Sequence, residues 1–158
     1  MAPDCTEMSQ GRSTENIISP EATCCRLNRA WFAAEKKEMK QAPYVLGGRQ
    51  RSLVLRTLRG VCAYREWILL AAHVRSSHVH LVVSAREAPE KVMNDLKAYA
   101  SRALNQTSRE GGSRWRWARH GSTRYLWRPE AVGIAIEYVI RGQGEPMAVW
   151  ENPEHPAW

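Results

Sequence analysis

The stretch Ala72–Ser84, AHVRSSHVHLVVS, carries a His-Val-His triplet that runs directly into Leu81, Val82 and Val83. Successive side chains of an extended strand point to opposite faces, so His78 and His80 share one face while Val79, Leu81 and Val83 share the other. Just upstream, Trp67–His73 (WILLAAH) is an unbroken apolar run of strand length. A short Arg75-Ser76-Ser77 link separates the two runs, which predicts an antiparallel hairpin. Two imidazoles on one face of a strand are a usable metal clamp, because neutral imidazole is a common ligand and the strand sets the spacing. A pair of partly buried histidines, each satisfied by a hydrogen bond, fits the same triplet equally well.

Helical periodicity flanks the hairpin. Between Arg49 and Tyr64, the residues Val54, Leu58, Val61 and Cys62 fall on one helix face, with Arg51, Arg56 and Arg59 off it. Ahead of it, Tyr44-Val45-Leu46 before Gly47-Gly48 reads as an apolar plug ending in a turn. A second helix is predicted from Pro89, a residue suited to the first turn, with Glu87 and Glu90 near the positive end of its dipole. Its stripe is Met93, Leu96, Ala100, Ala103 and Leu104. A Gly-rich loop at Glu110-Gly111-Gly112-Ser113 leads into RWRWARHGSTRYLW, read as a loop or hairpin around Gly121. A third helix starts at Pro129 and ends at Gly142 and Gly144. The segment from Pro146 onward, with its prolines, predicts no element.

Composition bounds the rest. A chain of 158 residues with ordinary apolar content predicts one domain. Residues 1–25 are polar and aperiodic and are predicted to be disordered; Leu27–Lys40 could form a short helix; 151–158 reads as a tail. No apolar run is long enough to span a membrane, and the polar first residues predict no signal peptide. The four cysteines have no paired metal spacing, and the vicinal Cys24-Cys25 is a poor disulfide framework, which points to a reducing, intracellular setting.

The formal charge of +7 is concentrated. Between Lys91 and Arg128 stand nine cations (Lys91, Lys97, Arg102, Arg109, Arg114, Arg116, Arg119, Arg124 and Arg128) against two acids, Asp95 and Glu110, a surplus equal to that of the whole chain. Trp115, Trp117 and Trp127 lie inside the segment. Arginine binds phosphate bidentately, and aromatic faces stack on unpaired bases at about 1–3 kcal/mol each. The DNA-binding candidates are therefore Lys97, Arg102, Arg114, Arg116, Arg119, Arg124, Trp117 and Trp127, with single-stranded or hairpin nucleic acid as the partner. A solvated basic face with the tryptophans in the core is the bland alternative.

The third helix holds one more signal. Val132, Ala135, Ile136, Val139 and Ile140 form its core stripe, and Tyr138 lies roughly 130° from the centre of that stripe. A well-anchored helix thus presents a phenol away from the core. A phenol is a weak nucleophile at neutral pH, and a divalent cation on the attacked phosphate lowers the barrier by neutralising charge and orienting oxygens. Alone, such a tyrosine is more often a rim residue.

Taken in order, AAHVRSSHVHLVVS, VMNDLKAYASRALN, RWARHGSTRYLW and YVIRGQGEPM resemble the HUH single-tyrosine transposases of small insertion sequences and their relatives associated with palindromic repeats. The resemblance spans about Tyr44 to Trp150. It implies an α+β fold, a ferredoxin-like antiparallel sheet with helices packed on one face, over about residues 26–150. It implies Mg²⁺ or Mn²⁺ on His78 and His80, and attack by Tyr138 on single-stranded DNA. The products would be a 5′-phosphotyrosine and a free 3′-hydroxyl, with neither water nor ATP needed. It implies a homodimer in the bacterial cytoplasm, nucleoid-associated when bound to DNA, in which one subunit's tyrosine can serve the other's histidines.

Three departures from that pattern stand out. The third ligand of the family is a Gln one turn after the tyrosine, where this chain has Gly142; the candidate is Gln143. On a continuous helix Gln143 would point about 140° away from Tyr138, so it reaches the site only if the helix breaks at Gly142. No strand is evident between Met1 and Met39, where the family begins its sheet. Tyr99 and Tyr125 are further tyrosines in polar surroundings and rank behind Tyr138. The alternative functions are a non-catalytic DNA-binding relic of a transposase and a small metal-dependent hydrolase using His78, His80 and either His73 or His120.

Overall fold

The Trp67–Ser84 region folds as its alternation predicts. In the computed structural model, which describes residues 42–107 and 115–154, β1 (Ile68–Val74) pairs antiparallel with β2 (Val79–Ser84), closing with Val74 opposite Val79. The Arg75 N–H donates to the His78 carbonyl at 2.9 Å and shapes the four-residue turn. Before the hairpin stands α1 (Gly48–Tyr64); after it come α2 (Pro89–Thr107), α3 (Pro129–Arg141) and β3 (Ala148–Glu151). β3 pairs antiparallel with the free edge of β1, so the sheet order is β2-β1-β3. The expectations of disorder over residues 1–25, of a helix over Leu27–Lys40, of no strand between Met1 and Met39 and of a Gly-rich loop, and the positions Arg109 and Arg114, lie outside the described residues.

α1 buries Val54, Leu58, Val61 and Cys62, the four residues its periodicity selects. Gln50 reaches back to accept the Gly47 N–H at 2.8 Å and starts the helix. α2 buries Val92, Leu96, Ala100 and Leu104. These two stripes meet Leu69, Ala72 and Val74 of β1, with Leu46 of the plug, in one core. Each fully buried aliphatic side chain contributes about 1.5–3 kcal/mol, so this cluster dominates the fold's stability. Burial pushes the Cys62 thiol up to about 11, which makes it a packing residue and not a reactive one.

A register shift between Leu69 and Ala71 places a β-bulge in β1. The extra residue lets Leu70 and Ala71 both turn away from the main core, where they join Val82 of β2 and Ile136 and Val139 of α3 in a second cluster. The α+β class with helices on an antiparallel sheet is thus as expected. α1 and α2 share one face; α3 differs from the single-face expectation and covers the other. The physical reason is the unbroken apolar run of β1, whose alternating side chains offer both faces. β3 corrects another expectation, since a strand forms where the prolines predicted no element. Residues 115–128 form neither helix nor strand. The described residues fall within one compact unit, Gln41–Trp158, and no helix among them is long and apolar enough to cross a membrane.

Candidate active site

β2 alternates as its sequence demands. Val79, Leu81 and Val83 pack towards the α1–α2 core, and Val82 joins the α3 cluster on the opposite face. His80 shares that face with Val82. His78 sits one residue before the strand and turns to the same side, its ring 4.9 Å from that of His80, edge to face. Ser77 Oγ lies 3.0 Å from His78 Nδ1, which occupies that nitrogen and leaves Nε2 for an outside partner.

α3 brings Tyr138 to this pair. Its ring centroid is 6.1 Å from that of His80, again edge to face, within a single chain. Tyr138 is 48% exposed, so the phenol is held against the imidazoles yet open to a ligand. The other two candidate tyrosines are elsewhere engaged. Tyr99 packs on the core with Arg102 over its ring at 5.0 Å, and Tyr125 stacks on Trp127.

The clamp that holds α3 in place is His73, which is 0% exposed. Its Nδ1 lies 3.0 Å from the Val139 carbonyl, and its Nε2 accepts the Met147 N–H at 3.2 Å. That pairing makes Nδ1 the protonated nitrogen and leaves no ring atom for a metal, which removes His73 from the hydrolase ligand set. In the sequence His73 is the end of an apolar run and a candidate third ligand of a hydrolase site. Its role, pinning the last turn of α3 beside Tyr138, requires the fold. Replacing it with leucine would leave the Val139 carbonyl buried and unpaired, at about 1–3 kcal/mol, and would strip the part-buried Met147 N–H of its acceptor. Chemical denaturation is expected to show a loss of about 2–5 kcal/mol.

Gly142 caps α3 with a Tyr138 carbonyl contact to its own N–H at 2.9 Å. The helix therefore does break there, the condition for Gln143 to turn back. The Gln143 side chain lies beside His78, where it favours the charged ring, and Gln143 Nε2 is enclosed without a partner. Gly142 also has a function that its reading as a helix terminator missed. A Cβ at this position would lie 2.6 Å from Tyr138 Cδ2 and 2.8 Å from the Tyr138 carbonyl oxygen. With φ at −78°, alanine is not strained by its own backbone; it is excluded by the tyrosine ring and by the Tyr138 carbonyl oxygen. Gly142→Ala is expected to displace the ring and lower any Tyr138-dependent rate by about 10–100-fold, with a loss of thermal stability because the Tyr138 backbone must also shift, and with single-stranded DNA affinity nearly unchanged. Single-turnover kinetics beside a binding titration check it.

Burial lowers the pKa of both histidines. For His78 the nearby Arg75 charge adds to it, the Gln143 side chain opposes it, and His73 adds a little. For His80 burial is followed by His78, His73 and Arg75. Both rings are thus neutral near pH 7, the form that binds metal. A folded-state pKa below the unfolded value means that the unfolded chain binds protons first, so stability is full above about 6.5 and falls as pH drops below it. The melting temperature of the metal-free protein is expected to decline as the pH falls below about 6.5, less so in a His78→Gln/His80→Gln variant.

Among the described residues no three of His, Cys, Asp and Glu cluster. A cation here would take two imidazoles and the Gln143 amide oxygen, a mixed nitrogen and oxygen set that a divalent ion such as Mn²⁺ can accept and that leaves positions for water or phosphate. His120, exposed on the loop, stands in no such cluster.

The basic segment is anchored along α2. Trp117 Nε1 donates to Ser101 Oγ at 2.8 Å, Lys97 Nζ donates to the Ala118 carbonyl at 3.1 Å, and Thr123 Oγ1 donates to Glu90 Oε1 at 2.8 Å. Gly121 lies against Met93. The loop therefore runs antiparallel to the helix, from its middle to its start. Trp117 is turned inward onto the core, away from the stacking surface predicted for it. Lys97 holds the loop, and Arg102 lies on Tyr99. Trp127 is 83% exposed and stacked on Tyr125 with ring centroids 5.0 Å apart. Arg119 and Arg124 are on the same stretch, both exposed.

The family model described as Transposase IS200 like matches residues 37–128, more than half of the chain. The match includes His78, His80 and the loop along α2 and stops before Tyr138. No curated protein matches the chain, and no solved structure does.

Proposed function

The chain belongs to the IS200-like transposase family, and on that premise we propose that it cuts and rejoins single-stranded, hairpin-bearing DNA through Tyr138. The observation that carries this reading is the edge-to-face contact of Tyr138 with His80, 6.1 Å between centroids, in one chain. A nucleophile and a ligand pair of the required types thus flank one space. Tyr138 Oη would attack the phosphorus, the P–O3′ bond would break, and the strand would leave a 5′-phosphotyrosine and a free 3′-hydroxyl. The phosphodiester energy is kept in the tyrosyl ester, so rejoining needs no cofactor of energy.

In this reading His78, His80 and Gln143 hold Mg²⁺ or Mn²⁺. A bound divalent ion supplies charge neutralisation on the phosphate and orients its oxygens. His73 keeps the α3 terminus on the sheet, and Gly142 sets the angle of the ring. Arg119, Arg124 and Arg128 lie along the loop that would follow the DNA backbone, and Trp127 with Tyr125 offers unpaired bases a stacking face. The proposed assembly is a homodimer. Since each chain holds its own Tyr138 beside its own His80, exchange of tyrosines between copies is not required for the site to be complete.

The test is incubation of the chain with end-labelled hairpin DNA carrying single-stranded flanks, with and without Mn²⁺. A denaturant-resistant protein–DNA band that forms only with the ion supports the proposal. Its absence under all divalent ions, with DNA binding intact, would leave a DNA-binding protein without strand transfer.

A further inference from the structure

Arg116 differs from the other cations of the loop. Its guanidinium lies over the Tyr44 ring, 5.2 Å from the centroid. Its Nε and Nη2 are both enclosed by protein, and neither meets a hydrogen-bond acceptor. These two atoms form the side-on fork with which arginine grips two oxygens of one phosphate. A buried donor left unpaired costs about 1–3 kcal/mol, more when it is charged, and native structures hold few of them. An unpaired charged fork is therefore a reason to look for the anion that completes it.

The surroundings say what kind of anion. Arg116 borders a small pocket together with Tyr44, Ser76, Ser77, His78 and Trp117, with no carboxylate in its wall. The pocket adjoins the imidazole pair directly, through His78 and through Ser77, whose hydroxyl lies on His78 Nδ1. One face of the guanidinium is backed by an aromatic ring, which leaves the fork for oxygens in its plane. Two serines beside it add hydroxyl donors. A phosphodiester, with two non-bridging oxygens and one negative charge, matches this set.

We propose that Arg116, with Ser76 and Ser77, forms a subsite for a single DNA phosphodiester next to the one that Tyr138 attacks. The inference rests on the strand-transfer reading above and adds a register to it. Gripping one neighbouring phosphate fixes which linkage along a flexible strand falls between His80 and Tyr138, so remote binding serves positioning. The fork would then be satisfied only in the complex. Repositioning of the pocket wall on binding is part of the proposal, because both nitrogens are enclosed in the free chain.

The test is a coupling cycle on the full-length chain. Binding is measured in a Tyr138→Phe background, so that it does not depend on covalent chemistry, with oligonucleotides bearing one neutral methylphosphonate at each linkage in turn. With Arg116 present, one linkage is expected to lose about tenfold in affinity when neutralised. Arg116→Gln is expected to lose about as much on unmodified DNA, to be indifferent to the methylphosphonate at that linkage, and to reduce the salt slope by about one. Arg116→Lys, which keeps the charge and loses the fork, is expected to weaken binding several-fold with the same linkage dependence, and it serves if the Gln variant fails to fold. The subsite is overturned if the two losses add at every linkage, or if the coupling follows a base analogue such as 7-deazaguanine in place of a phosphate. In the Tyr138 wild-type chain, coupling without an adduct would sink the strand-transfer reading alone. An adduct without coupling would sink the subsite alone.

Discussion

Tyr138→Phe is expected to abolish the covalent protein–DNA adduct, a loss of at least about a thousandfold, while single-stranded DNA affinity stays within about twofold. The change removes one oxygen. The ring keeps its edge-to-face contact with His80 and its place over Gly142, and the α3 stripe of Ile136 and Val139 is untouched. Nothing in the fold therefore resists the substitution, so any loss reports on the missing nucleophile. Affinity is carried by cations and stacking faces along the loop, not by the phenol. Gel resolution under denaturing conditions reads the adduct, and fluorescence anisotropy reads the binding. An adduct that persists in the Phe variant would move the chemistry to another residue.

His78→Ala and His80→Ala, singly and together, are expected to lower adduct formation by about two to three orders of magnitude each, with no rescue at raised Mn²⁺. The magnitude follows from the several kcal/mol that a cation contributes to charge stabilisation at a reacting phosphate, at 1.36 kcal/mol per factor of ten. The double variant is expected to fall little further than either single one, because two ligands of one ion act as a unit. The fold should hold, since neither histidine belongs to the apolar clusters. His73 makes the useful contrast. Its loss would lower stability first, because both of its nitrogens brace the α3 terminus. Mn²⁺ binding followed by electron paramagnetic resonance separates the two cases.

Much of this arrangement was legible before the fold. The four buried residues of α1, the Ile68–Ser84 hairpin, the start of α3 at Pro129 and the outward aim of Tyr138 all follow from period and punctuation, because local pattern and tertiary burial agree there. His-Val-His was legible as a shared face. What β2 could not reveal is that the shared face is the one α3 covers, since that depends on where a helix distant in sequence packs. β3 was missed because its four residues follow Pro146 in a stretch with no alternation long enough to read. The strand exists because the open edge of β1 accepts it, a tertiary effect. The inward turn of Trp117 and the track of the loop along α2 rest on Ser101, Lys97 and Glu90, contacts that no periodicity encodes. Gly142 was legible as a helix stop; its contact with the Tyr138 ring needed coordinates. The break at Gly142 was the condition set for Gln143, and it is met.

The most direct measurement is identification of the linked residue. The full-length chain is reacted with single-stranded DNA in Mn²⁺, the adduct is digested with nuclease and protease, and the nucleotide-bearing peptide is sequenced by mass spectrometry. The account predicts one modified peptide, from the end of α3, with a 5′-phosphate ester on Tyr138. A nucleotide on Tyr99, Tyr125 or any residue other than Tyr138 would contradict it.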